Sequence, residues 1–172
     1  MTGAALAPAA DNLSVVFECH AHLCALPSRW VRRLLLADEG RFVRAGLPAG
    51  APLGGRQLLE VSGQRFAAWD FGELVELPPL SASWALLDLP HRGAVLPLAL
   101  RIGRCRAVAR VPTLARLPEG LWRRRRAAFS AAFALTAPGV AARVGLFLDP
   151  TRLWTEAELE ASLSTLLRGA AE

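Results

Sequence analysis

The sequence predicts an all-β protein, a barrel or sandwich of many short strands with few helices. Short apolar runs recur along the chain, Gly, Pro and polar residues break them at roughly regular intervals, and no strand-helix-strand rhythm appears. With 172 residues and 53% apolar content, the chain can bury the core of one domain or of two small subdomains that share it.

Met1 to Asn12 are Ala-rich with no basic residue, which reads as a flexible tail and not as a secretory leader. Residues 13–172 then read as one domain, with approximate subdomains 13–80 and 81–154 and a C-terminal helix at about 156–168. Val15-Val16-Phe17 reads as a strand, the segment from Cys19 to Cys24 as a turn, and Ala25-Leu26-Pro27 as a second short strand. Ser28 is placed to cap a brief helix with Trp30, Val31, Leu34 and Leu35 on one side and Arg29, Arg32 and Arg33 on the other. Glycines and prolines then accumulate between Ala45 and Gly55 and favour a long loop.

Residues 58–77 form the most informative stretch. Two apolar runs flank Ser62-Gly63-Gln64 and predict a hairpin, whose second strand breaks at Asp70 into a short helix. Asp70 can accept from the first free amides of that helix, and Glu73 can reach back to the amide of Asp70. A second hairpin follows, with Trp84 to Leu89 and Ala94 to Leu100 around Pro90-His91-Arg92-Gly93. Leu86-Leu87-Asp88-Leu89 echoes Leu58-Leu59-Glu60-Val61 at a distance of 28 residues, a faint sign of duplication.

Arg101 to Val111 alternates arginines with apolar residues and reads as one strand with a bulge near Gly103. Ala127 to Leu135 and Val140 to Leu148 read as strands around a Pro138-Gly139 turn. Thr155 and Glu158 spell a capping box, and Leu159, Leu163, Leu166 and Leu167 follow at helical spacing.

The formal charge is +5 and every basic residue is arginine, so the basic balance is mild and carries no nucleic-acid signature by itself. Arg123-Arg124-Arg125-Arg126 reads as a solvated connection. The alternative function is a small basic β-barrel that binds nucleic acid through this run and the arginines of 101–110, which the lack of tyrosine weakens. Three cysteines do not make a disulfide framework and suit a reducing cytoplasm. The longest charge-free stretch, Ala127 to Ala142, is too short and too broken for a membrane span, so no membrane insertion is expected.

Signs of catalysis are poor. Asp70-Phe71-Gly72 spells a kinase magnesium motif, yet the phosphate-covering loop and its lysine are missing, and no Gly-x-Ser-x-Gly occurs. Cys19, His20, His22 and Cys24 are the best metal candidates, because strand alternation would put His20, His22 and Cys24 on one face and Cys19 on the other. An exposed polar turn is the preferred reading there, with no metal and no cofactor. The five tryptophans read as core and interface anchors.

The order of these pieces resembles the CheW-like domain, an adaptor module of bacterial chemosensory arrays. Val15-Val16-Phe17 and Ala25-Leu26-Pro27 match its opening, the Pro-rich loop follows, and Ser62-Gly63 and Asp70-Phe71 occupy its first hairpin turn and Asp-Leu step. Leu100 to Cys105 corresponds to a later strand and Gly145 to Pro150 to the closing one. Ser62 stands where the family usually has Arg, and Gly103 where it usually has Asp. The resemblance implies two small, intertwined five-stranded barrels and a non-enzymatic cytoplasmic scaffold. It also implies partners, the regulatory domain of a CheA-type histidine kinase and the cytoplasmic tip of a chemoreceptor. The partner-binding residues it suggests are Val61, Ser62, Gly63, Arg65, Asp70 and Arg104.

Overall fold

The computed structural model describes residues 13–43, 52–117, 128–137 and 139–170. The expected tail at 1–12, most of the Gly/Pro loop and Arg123–Arg126 lie outside them.

Two six-stranded sheets make up the fold. Strands β1 (Leu13–Cys19) and β2 (His22–Pro27) form a hairpin, as the sequence predicts. The brief helix expected after Ser28 is corrected to one 3-10 turn, Ser28–Trp30, followed by strand β3 (Val31–Leu36). Ser28 caps nothing, and β3 pairs along the otherwise free edge of β7 (Ser83–His91). Across a register shift between Val31 and Arg33, Val31 and Leu34 both pack against the shared core, while Leu35 enters the second barrel. That shift imitates the spacing of a helix, which is why the pattern misleads.

The two-residue β4 (Arg41–Phe42) precedes β5 (Gln57–Val61) and β6 (Gln64–Asp70), and a four-residue helix α1 (Phe71–Leu74) follows. After β7 comes β8 (Ala94–Ile102). Both hairpins close through two residues with positive φ, Ser62 (51°) with Gly63 (78°) and Arg92 (48°) with Gly93 (78°). This geometry matches the right-handed twist of paired strands. The matching turns lie 30 residues apart, so the echo of 28 aligns the strands two residues out of step.

Chain 101–111 is two strands and not one. Strand β8 ends at Ile102, and β9 (Cys105–Arg110) belongs to the other sheet. Gly103 marks the crossing, where a Cβ would overlap the carbonyl oxygen of Glu18. The register shift in this region lies instead opposite Val16 and Phe17, which face Ala107 and Cys105. The sequence gives no sign of the exposed β10 (Thr113–Arg116); β11 (Phe129–Ala137) and β12 (Val140–Leu148) appear where expected. Helix α2 (Glu156–Ala170) begins with the full capping box, Glu158 N–H donating to Thr155 Oγ1 and Thr155 N–H to Glu158 Oε2. Leu159 is buried and Leu163 and Leu166 are partly so, while Leu167 points outward at 64% exposure.

Each sheet rolls on itself. Phe42, on one edge strand, packs edge-on against Trp84 at 6.0 Å, although Trp84 lies beside the opposite edge strand. Residues Leu35, Leu59, Phe66, Trp84 and Ala99 fill this second barrel, and Val16, Leu23, Ala25, Phe133 and Phe147 fill the first. A larger core lies between them, built from Phe17, Trp69, Phe71, Leu87, Leu98, Leu100 and Trp154, with Leu159 of α2. Each sheet has six strands where the resemblance implies five, the short β4 and β10 each lying at an edge.

The sheets divide the chain differently from the expected halves 13–80 and 81–154. Strands β3 to β8, residues 31–102, form one sheet without interruption, and the other joins β1 and β2 to β9 through β12. The chain thus leaves the first barrel, completes the second and returns.

Candidate partner-binding surface

Asp70 shows how local sequence and tertiary pairing combine. Its main chain ends β6 in the extended conformation, and its Oδ1 accepts from Glu73 N–H at 3.1 Å as a helix N-cap. Its Oδ2 accepts from Leu80 N–H at 2.9 Å and from Arg101 Nε at 2.6 Å. Asp70 is fully buried, so this expected partner residue is a node of the scaffold with no surface of its own. The reciprocal bond expected from Glu73 is absent. Glu73 Oε2 accepts from Leu53 N–H at 3.2 Å instead, and burial pushes its carboxyl above the usual range.

Val61 is buried as well and lines the second barrel. Ser62 and Gly63 form the exposed turn beside it. Arg65 is half-buried and reaches Glu60 at 3.7 Å, while Arg41 binds the same carboxylate at 2.7 Å and holds it below the usual range. The register of β6 with β8 sets the Ser62-Gly63 turn level with Arg92-Gly93, so the two turns share one end of the second barrel. Arg104 does not join them. It follows the crossing at Gly103, beyond the opposite end of β8, where its carbonyl accepts from Glu18 N–H at 2.9 Å.

Arg92 is an Arg-Gly turn residue that the sequence reading passed over. It binds Glu156 and Glu160 of α2 at 2.6 Å each, and His91 Nε2 lies 3.1 Å from Glu160. The ligand atoms of His91, Glu156 and Glu160 fall within 4.8 Å of one another, and the arginine already supplies the cation between the carboxylates. Trp69 Nε1 donates to Ser162 Oγ at 3.0 Å beneath the helix, and a Cβ on Gly55 would come within 2.6 Å of both residues. Helix α2 is therefore seated by contacts along its length.

The Cys-His segment is a tight turn, and not the continuous strand that would put His20, His22 and Cys24 on one face. The hairpin reverses at His20 (φ 53°) and Ala21, so Cys19 and Cys24 share the inner face and both are buried. The two thiols are hydrogen-bonded to each other, which pushes the Cys24 thiol up and the Cys19 thiol down. His20 Nε2 bonds the carbonyl of Pro78 at 2.9 Å, and His22 is exposed.

No protein-family model matches this sequence, nor does any curated protein. Among solved structures, the chain is similar to the scaffolding protein TtCheW from Thermoanaerobacter tengcongensis, at 11% identity and a TM-score of 0.53. The match covers 81% of this chain and 89% of that one. The fold is CheW-like. Two intertwined rolled sheets with a shared core are thus the architecture that the resemblance implied. Within this CheW-like fold, no helix of the described residues is long and apolar enough to cross a membrane.

The residue expected to differ from the family at position 103 now has a physical explanation. A side chain there would collide with the backbone of Glu18, so this CheW-like chain holds its two barrels too close at that point for aspartate. Sequence reasoning also missed Arg101, the partly buried partner of Asp70. Its signal was available in part, since an arginine amid Ala99, Leu100 and Ile102 demands a carboxylate.

Proposed function

We propose that this chain is a non-enzymatic adaptor that couples the regulatory domain of a CheA-type histidine kinase to a chemoreceptor tip or another sensory component. One observation carries the reading, the similarity of the fold to a scaffolding protein over 81% of this chain. The distribution of polar groups agrees with it. Asp70, Arg101, Glu73 and Trp69 make their hydrogen bonds within the chain, where they seat loops and helices. Ser62, Gly63, Arg65 and Arg104 are the contact candidates at the surface, and Val61 and Asp70 hold the hairpin that presents the first three. The protein works in the bacterial cytoplasm and is recruited to receptor arrays.

The test is co-elution on size exclusion with a purified kinase regulatory domain and, separately, with a receptor cytoplasmic fragment. A stoichiometric complex with at least one is expected. Failure to bind every cognate pair from one genome would overturn the proposal. The nucleic-acid reading gains no support from the fold, and within it Arg106 is engaged by Glu18 at 2.6 Å.

A further inference from the structure

Charge is spread unevenly between the barrels. The described part of the second barrel, residues 31–43 and 52–102, balances seven arginines with seven acidic residues. Strands β1 and β2 and the described residues of 103–149 in the first carry Arg104, Arg106, Arg110, Arg116 and Arg143 against only Glu18 and Asp149. All five arginines are exposed. Three of them gather at one end of the barrel, because Arg106 and Arg143 meet Glu18 at 2.6 and 3.5 Å from β9 and β12, and Arg104 bonds its backbone. Arg106 above all holds the Glu18 carboxyl below the usual range. One carboxylate between these guanidinium groups leaves an excess of donors.

The same end carries an open strand edge. Strand β12 pairs with β2 only at Gly145, Leu146 and Phe147. Strand β2 begins at His22, level with Val144, so β12 runs on past it, bonded only to β11 among the described residues. Ala141, Ala142, Arg143 and Val144 are all exposed, Val144 at 65%. An unpaired edge offers main-chain donors and acceptors to an added strand, and residues 140–144 carry one charge, Arg143, and none of the lysines and prolines that usually block such addition.

We propose that the edge of β12 over residues 140–144 is a docking site for an extended acidic segment of a partner protein, added as a further strand. Main-chain bonds supply the affinity. Alternate side chains of an added strand point to one side, so acidic residues at every second position meet Arg143, Arg106 and Arg104, and apolar residues between them cover Val144. The inference rests on the adaptor reading for the existence of a protein partner.

The test uses the full chain and a fluorescent nine-residue peptide alternating glutamate and valine, read by anisotropy at low and moderate salt. Neither kinase nor receptor is present, so failure here leaves the adaptor reading standing. Saturable binding that weakens with salt is expected, at least about tenfold tighter than for the lysine-valine counterpart. Methylating alternate backbone nitrogens of the peptide removes main-chain donors while keeping the charge, and loss of about tenfold or more is expected. The double variant R106E/R143E should lose as much, with R143A alone as the milder check on a folded chain. The proposal is overturned by absence of saturable binding, by equal binding of the lysine peptide, by an unaffected methylated peptide, or by displacement of the peptide by a short single-stranded oligonucleotide at lower concentration than by unlabelled peptide.

Discussion

Asp70 and Arg101 meet twice, as register partners in the parallel ladder of β6 and β8 and through a 2.6 Å bond between carboxylate and guanidinium. The aspartate is fully buried and the arginine side chain is 16% exposed. Asp70→Asn keeps an oxygen for the helix cap but leaves the arginine buried without its counter-charge, which costs about 3 kcal/mol. Urea unfolding should show this loss, and the double change D70N/R101M should recover part of it.

Glu73 works against the fold at neutral pH. Its carboxyl is raised by burial, so the folded chain binds its proton more tightly than the unfolded chain does. Stability from this group is fully present below the ordinary carboxylate range and falls as pH rises through the raised value. Glu73→Gln retains an acceptor for Leu53 N–H and should raise the melting temperature at pH 7. At pH 3 the difference should vanish, and a pH series of melts with both chains checks it.

Gly103→Asp would install the residue that CheW-like sequences usually carry there. Because a Cβ collides with the Glu18 carbonyl, the expected result is a loss of about 3 kcal/mol or more and no gain in partner binding. Gly103→Ala should cost nearly as much, which shows that the Cβ and not the charge is responsible. Thermal melts alongside kinase-domain co-elution measure both effects.

Ser62→Arg should be tolerated. Arg92 adopts φ 48° in the equivalent turn, against 51° for Ser62, so the backbone accepts arginine there. The stability change should stay within about 0.5 kcal/mol, as for most surface substitutions. Under the adaptor proposal this variant binds the kinase domain or the receptor fragment more tightly, and isothermal titration of both chains decides it.

Ser162→Ala tests the seat of α2. It leaves Trp69 Nε1 buried without its acceptor and should cost about 1 to 2 kcal/mol by urea unfolding. Tryptophan emission should shift as well, since Trp69 also stacks edge-on against Trp154 at 6.4 Å.

Short-range signals made much of this fold legible. The turns at Ser62-Gly63 and Arg92-Gly93, the Asp70 cap and the Thr155-Glu158 box each depend on residues within a few positions of one another, and each appears in the structure. Strand β3 was misread because Val31, Leu34 and Leu35 fit a helix until β7 offers an edge to pair with. The step at Gly103 is invisible locally, since what forbids a side chain there is Glu18, which lies 85 positions earlier. The exposure of Ser62 and Gly63 is legible because they form a turn. The burial of Asp70 and Val61 is not, because alternation alone cannot say which side of a strand another barrel covers.

The uninterrupted run of β3 to β8 sets an order of events during synthesis. The second barrel has all its strands once residue 102 has left the ribosome, whereas the first must wait for β12 to finish at Leu148. Until β9 arrives to pair with β1, β1 and β2 are a lone ribbon, which is at best marginally stable in water. Phe17 on that ribbon packs against Phe71 at 5.3 Å, a contact available as soon as α1 forms. The finished barrel thus serves as the template on which the nascent one is held until its last strands arrive.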